Sequence, residues 1–336
     1  MILRENLEQR EYEILSPFAA KSAESRGREI SEDKCEVRTD YQRDRDRIVH
    51  SKAFRRLMHK TQVFLAPEGD HFRTRLTHTL EVSQIARTIA RALSLNEDLT
   101  EAIAIGHDLG HTPFGHNGET FLNEIHKDGF KHNVQSLRVV DILESNKDRR
   151  GMNLTYEVRD GILNHTGTGI PVTLEGQIVK ISDRIAYINH DIDDALRSGV
   201  IKSEDLPKDC IENLGSNHRQ RIDTLVKDLI INSDNKECII MSKNCLKYMD
   251  TLRDFMFENV YHSKIVKKDE ELDKIRNMIY SLYEYYKKNP NKLPKESRKM
   301  IDEFGIEEVV KDQIAGMSDR YAIKIFTQLF VPKGWK

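Results

Sequence analysis

The chain has 336 residues, enough for one large domain or two ordinary ones, and 32% of them are charged against 38% hydrophobic. A net charge of −2 argues against a general polyanion-binding protein. Only 17 Gly and 8 Pro punctuate the chain, which points away from turn-rich all-β designs and toward long helices.

From the N-terminus, MILRENLEQREYEIL is charged and soluble in character, and the next twenty residues form a loosely ordered polar stretch. Between Arg38 and Arg75 stand ten Lys or Arg (38, 43, 45, 47, 52, 55, 56, 60, 73, 75) against five Asp or Glu (40, 44, 46, 68, 70). The alternation Arg43-Asp44-Arg45-Asp46-Arg47 fits a self-neutralising solvated face; the basic excess equally fits a cradle for a small polyanion. Leu76, Leu80, Ile85, Ile89 and Leu93 recur at helical spacing, and Asn96 is a candidate N-cap for the next helix. That helix carries Leu99, Ala102, Ile103 and Gly106 and is expected to end near Gly110. Val134, Leu137, Val140 and Ile142-Leu143 predict another helix, and Arg149 to Leu154 is the one stretch that admits a hairpin.

Ile178, Ile181, Ile185 and Ile188 mark a further amphipathic helix bearing Asp183, Tyr187 and Asp191. A polar break over 201–220 precedes helical patterns at Ile222 to Leu229, Leu252 to Val260 and Ile275 to Tyr286. The segment 289–294 interrupts them, and a last helix runs toward Trp335. The expected fold class is all-α. Cysteines 35, 210, 238 and 245 are scattered, so a disulfide framework or structural zinc site is not expected and a reducing cytoplasm fits. No apolar run approaches the roughly 18 residues of a membrane span.

Histidines cluster beside acids in this sequence. His107-Asp108 sits at a helix C-terminus in an apolar setting (Ala104, Ile105, Leu109), where a buried Asp is costly without a compensating charge. A divalent ion supplies that charge. With His78 and Asp183 the pair makes a mixed nitrogen and oxygen set, suited to Mn, Fe, Ni, Co or Mg rather than to a structural zinc site. Such an ion can acidify a water and clamp a phosphate oxygen. In HTPFGHNGE, Pro113 stops one helix and Gly115 permits a tight restart, which leaves His116 and Glu119 three apart on one face. That spacing fits either a proton-transfer couple or an acid favoured near a helix N-terminus.

The pattern H…HD…D resembles that of the HD-domain superfamily, all-α metal-dependent phosphohydrolases. Longer stretches sharpen the resemblance: RTDYQRDRDRIVHSKAFRRLMHKTQVF (38–64), RTRLTHTLEV (73–82), GHDLGHTPFGHNGE (106–119), ISDRIAYINHDIDDAL (181–196) and DQIAGMSDRYA (312–322) are similar to deoxyguanosine triphosphate triphosphohydrolase-like proteins. The similarity runs from about 36 to 335. It implies a peripheral segment (1–35), an HD-domain helical core (36–200) and additional C-terminal helices (201–336) that pack on the core and contribute to oligomer contacts.

The resemblance also implies roles. His78, His107, Asp108 and Asp183 would ligate the ion; His116 and Glu119 would form the catalytic dyad, with His111 an auxiliary acid or phosphate contact and His132 a further active-site histidine. Arg75 and Arg184 would grip phosphates, Gln62 the sugar 3′-hydroxyl, and Tyr187 and Asp191 would line the sugar. The implied reaction turns a 2′-deoxynucleoside 5′-triphosphate into deoxynucleoside and inorganic triphosphate. A homo-oligomer, commonly a hexamer, and a dNTP activator are implied partners. Two rivals stay open: an HD phosphohydrolase acting on a nucleoside monophosphate, an alarmone or a cyclic dinucleotide, and a nucleotide-sensing or single-stranded nucleic-acid-binding module.

Overall fold

The structure is a computed structural model that describes residues 3–62, 73–146, 149–261 and 269–333. It is all-α. Among the described residues the only β contacts are two isolated bridges, Arg28 with Thr155 and Thr61 with Thr74.

Among the described residues, the N-terminal half holds nine α-helices: α1 (Arg4–Ile14), α2 (Asp40–Val49), α3 (Lys52–Arg56), α4 (Arg75–Ala92), α5 (Glu97–Gly106), α6 (Gly115–Ile125), α7 (His132–Arg138), α8 (Tyr156–Asn164) and α9 (Leu174–Arg197). Their starts follow from local chemistry. Thr39, Ser51, Thr74, Asn96 and Thr173 each accept a hydrogen bond from a first-turn backbone N–H, meeting donors that a helix start leaves unpaired. The central unit is α4, α5 and α9, packed against one another with α2 and α8 against α5. The apolar residues Val82, Ile85, Ile89, Leu99, Ile103, Ile178, Ile185 and Ile188 close this core with 0–3% exposure. At about 25 cal/mol per Å² such burial is the main term that holds the helices together.

The C-terminal half adds α10 (Lys208–Leu214), α11 (His218–Ser233), α12 (Lys243–Met256), α13 (Asp269–Lys288), α14 (Lys295–Arg298), α15 (Ile301–Phe304), α16 (Ile306–Ala315) and α17 (Asp319–Phe330). Leu225, Leu229, Met249, Leu252 and Val260 join the first core. A second cluster gathers Phe121, Leu122 and Phe130 with Ile279, Leu282, Val310 and Ile314.

Several expectations need correction. The helix expected to reach Gly110 stops at Gly106, and 107–110 form a turn. A close approach sets the turn's end: a Cβ on Gly110 would lie 2.1 Å from the Ser136 backbone nitrogen. No hairpin forms at 149–154; instead Asn153 in the left-handed region (φ 51°) turns the chain so that its amide bonds both backbone groups of Ile30. The polar break over 201–220 contains α10, which buries Cys210 and Leu214. The stretch after α1 is pinned rather than loose: Glu11 holds Ser22, Glu157 holds Ser25 and Arg26, and Arg28 reaches Asp44 in the core. The last helix ends at Phe330; Trp335 lies outside the described residues. The four cysteines are free, as expected.

A candidate metal and phosphate site

Two buried turns of the helical core meet at one point. His78 lies on the first turn of α4, His107 and Asp108 directly after α5, and Asp183 midway along α9. The ligand atoms of His78, His107 and Asp108 lie within 4.8 Å of one another. Asp183 Oδ1 is 3.1 Å from His78 Nε2 and 3.8 Å from His107 Nε2, so the four expected residues converge. His107 Nδ1 sits 2.6 Å from the Ala104 carbonyl, which fixes the proton there and leaves Nε2 with its lone pair directed at the acids. That Nε2 is fully buried and has no hydrogen-bond partner. An orphaned imidazole nitrogen facing two carboxylates is what a divalent cation would satisfy, so these residues fit the ion.

The electrostatics agree. Burial alone would push Asp108 up, but His107, Arg75, His111 and His78 hold it well below the ordinary carboxylate range. Burial likewise opposes ionisation of Asp183, yet the hydrogen bond from His78 and the imidazoles around it bring it down to about 2. Both acids are therefore charged and ready to ligate.

Beside the ligands stands a second group. Phe114 (φ 63°) and Gly115 (φ 58°) are both left-handed, and this sharp reversal restarts the chain as α6 with His116 and Glu119 on its first turn. Glu119 is 3.6 Å from His116 Nδ1 but 3.0 Å from His132 Nδ1. His132 and His111 stack face to face at 4.1 Å. His116 is 72% exposed, whereas His111 is buried. Burial opposes the Glu119 charge, but hydrogen bonds from His116 and His132 keep the carboxyl far below its usual value. His111 is driven well below its usual value by burial and by Arg75, so it is a neutral imidazole at neutral pH.

Arg75 is 1% exposed and spends one nitrogen on Asp108 Oδ2 at 2.8 Å. Its Nε and Nη2 are buried without partners, as is Gln62 Oε1. A Cβ on Gly115 would meet the Gln62 backbone carbonyl at 3.1 Å and Arg75 Nη2 at 3.3 Å, so the main chain at Gln62 and the Arg75 guanidinium lie close together next to the α6 start. Tyr187 and Asp191 lie farther along α9, where Asp191 is buried and accepts a bond from Tyr261. Burial, opposed by that bond, pushes Asp191 up to about 7. Arg184 pairs with Asp250 at 2.7 Å and is only partly buried.

Sequence reading missed His165. It is buried at the end of α8, its Nε2 3.2 Å from His132 Nε2 and its ring 5.0 Å from that of His107. Burial, with the charges of His107 and His132, lowers it to about 3. Its only sequence signal was a histidine after an apolar helix (GILNH), a pattern that ordinary core residues share. His190 was missed for the same reason; its ring lies 6.0 Å from that of His78.

The basic stretch largely neutralises itself. Arg38 pairs with Asp46, Arg43 with Glu32, Arg45 with Asp98 and Arg47 with Glu32. Arg73 is locked by Glu81, Asp193 and Asp194. No helix among the described residues is long and apolar enough to cross a membrane.

Comparison with known proteins places this geometry. Residues 75–188 match the HD domain, the span from Arg75 past Asp183, and residues 239–328 match a phosphohydrolase-associated domain. The chain is 60% identical to a deoxyguanosinetriphosphate triphosphohydrolase-like protein of Caldanaerobacter subterraneus subsp. tengcongensis over 100% of this chain and 98% of that one. Counterparts of the same name from Clostridium tetani and Geobacter sulfurreducens are 48% and 40% identical over 99% of this chain and 97% and 99% of theirs. Among solved structures, a phosphohydrolase from Bacteroides thetaiotaomicron aligns with 84% of this chain and 69% of that one at 18% identity and a TM-score of 0.51, a likeness of fold. The chain therefore belongs to the deoxyguanosinetriphosphate triphosphohydrolase-like family of HD-domain phosphohydrolases.

Proposed function

We propose that this protein hydrolyses 2′-deoxynucleoside 5′-triphosphates, dGTP among them, to the deoxynucleoside and inorganic triphosphate. The observation that carries the reading is that Arg75 Nε and Nη2 are buried without partners while Arg75 pairs with Asp108, and that the Gln62 side-chain amide oxygen is likewise buried and unpartnered. Two guanidinium nitrogens left open in a buried site suit phosphate oxygens, and an amide oxygen suits a sugar hydroxyl. The names of the full-length relatives supply the same substrate class.

His78, His107, Asp108 and Asp183 would hold the divalent ion, which supplies Lewis acidity toward a phosphate oxygen and a water. The chain's own residues do the rest. Arg75 holds the phosphate charge. Water attacks the α-phosphorus, the bond from phosphorus to the 5′-oxygen breaks, and the departing oxygen takes a proton. His116, exposed at the site's mouth and 3.6 Å from Glu119, supplies that proton or receives the water's. His132 shares the carboxylate, and neutral His111 stacks on it to keep the pair in place. Tyr187, next along α9 from Asp183, would pack under the deoxyribose and exclude a 2′-hydroxyl.

The test is product identity. A panel of the four dNTPs with Mn, Mg and Co, resolved by anion-exchange chromatography, is expected to yield intact triphosphate with deoxynucleoside. Release of orthophosphate or pyrophosphate as the first product, or turnover only of a monophosphate, would overturn the proposal.

A further inference from the structure

His107 and His165 are built alike. Each follows directly on the end of a helix, α5 or α8, and each turns Nδ1 back on the carbonyl three residues earlier, Ala104 at 2.6 Å and Ile162 at 2.7 Å. The two rings pack edge to face at 5.0 Å. A carbonyl can only accept, so the proton sits on Nδ1, and His165, kept neutral by burial, presents a lone pair at Nε2. The two Nε2 atoms meet different ends. That of His107 is the orphan an ion would satisfy, whereas that of His165 lies 3.2 Å from His132 Nε2.

The other side of the His132 ring is fixed as firmly. Glu119 Oε1 accepts from the His132 backbone N–H at 2.9 Å and lies 3.0 Å from Nδ1, with Oε2 at 3.1 Å. Glu119 is held far below the usual carboxylate range, so it too can only accept, and Nδ1 carries a proton. A neutral His132 would then set its Nε2 lone pair against that of His165, 3.2 Å apart with no proton between them. Only a ring protonated at both nitrogens makes every one of these contacts a hydrogen bond. Burial opposes that charge, but the bond to Glu119 and the charge of that acid raise His132 above the ordinary histidine value. The helices are also tied so that the pair does not drift apart. Asn133, next to His132, donates to the Leu163 carbonyl at 2.7 Å, and Lys180 holds the segment after His165 through the carbonyls of Gly167 and Gly169 at 2.8 and 2.6 Å.

We propose that His165 is a positioning residue: its Nε2 lone pair fixes a proton on His132 Nε2, so that His132 stands as a doubly protonated ring between Glu119 and His165, stacked on His111. Both N–H bonds of His132 are spent inside the protein. That makes it a fixed positive charge rather than a proton carrier, and leaves proton exchange to His116, the exposed ring 6.4 Å away. One consequence rests on the dNTP reaction proposed above: the His132 charge would join Arg75 in holding the triphosphate.

Solid-state NMR of the Mg-loaded full chain, with isotopically labelled histidine nitrogens, reads the proton positions without any turnover. The His132 signals are assigned by their disappearance in His132→Gln. Wild type at neutral pH is expected to show protons on both His132 nitrogens, a lone pair on His165 Nε2, and a scalar coupling between the two Nε2 atoms across the hydrogen bond. His165→Leu should strip the proton from His132 Nε2; His165→Gln, whose amide oxygen accepts in the same place, should keep it. In dNTP turnover the Leu variant should lose roughly tenfold or more and the Gln variant should recover most of that loss, as an orienting partner requires and a mere space-filler does not. A lone pair on His132 Nε2 in wild type, or equal losses in the two variants with His132 unchanged, overturns the proposal. The wild-type spectrum decides by itself if His165→Leu does not fold. Absence of dNTP hydrolysis in every protein would count against the proposed reaction and not against the proton positions.

Discussion

The proposed ion-ligand group and the proposed acid–base group lie a few ångströms apart yet are built in opposite ways. His78, His107 and Asp108 project from the ends of core helices and are buried, with exposures of 0–3%. His116 and Glu119 hang on a left-handed reversal, and His116 is 72% exposed. The difference follows from the work proposed for each. Ligands need fixed positions and exclusion of competing water, whereas a proton carrier must exchange with solvent between turnovers. Between them stand Asp108 and His111, 3.4 Å apart, the contact through which the two groups meet.

The largest expected effect comes from breaking the buried group. Asp108→Ala removes a proposed ligand and strips Arg75 of its ion-pair partner among the described residues. The expected outcome is loss of bound metal by elemental analysis and a fall in turnover of about 10³-fold or more. Retained stoichiometric metal in that variant would mean that the ion sits elsewhere, and the comparison would collapse.

The exposed group should respond more weakly and in parts. His116→Ala is expected to lower kcat by about 10²- to 10⁴-fold with metal content intact. Glu119→Gln tests which histidine the acid serves, since it lies closer to His132 than to His116. If Glu119 acts mainly by orienting His132, Glu119→Gln and His132→Ala should show equal losses that do not add in the double variant. Additive losses would return the acid to His116 alone.

Much of this was legible in the sequence. The α4, α5 and α9 helices rest on long apolar periodicities, and the Asn96 cap accepts from Leu99 as its residue type requires. The four proposed ligands were read from an Asp-flanked histidine in an apolar setting together with the family resemblance, since the H…HD…D spacing alone is loose. What stayed hidden depends on long-range partners. His165 reaches His132 from 33 residues away, Arg184 finds Asp250 across 66, and Lys60 meets Ala315 across 255. Charge alternation read locally could not tell which of ten basic residues would find acids and which would not. The short α10 was hidden because its two buried side chains are too few to make a period.

The smallest effect tests whether neighbouring cations, rather than burial, separate the site's carboxylates from ordinary buried ones. Glu175 is as buried as Asp108, but the cation acting on it is Lys21, which donates to the Ser16 and Ala19 carbonyls and offsets the burial only weakly; Glu175 Oε1 accepts from the Ala20 and Asn96 backbone while Oε2 is unpartnered. Burial therefore raises it to about 7, opposite in direction to Asp108. Its folded value lies above the ordinary 4.5, so between 4.5 and about 7 the folded state holds a proton that the unfolded chain has released. Stability from this group is full below 4.5 and declines as pH rises through about 7. Glu175→Gln keeps the acceptor and cannot ionise. It should gain on the order of 2 kcal/mol relative to wild type on going from pH 5 to pH 8 in denaturant titrations. A difference between the two proteins that does not change with pH would show that Glu175 is ionised in the fold at pH 5 as well, and that burial against a single lysine is not enough to set these acids apart.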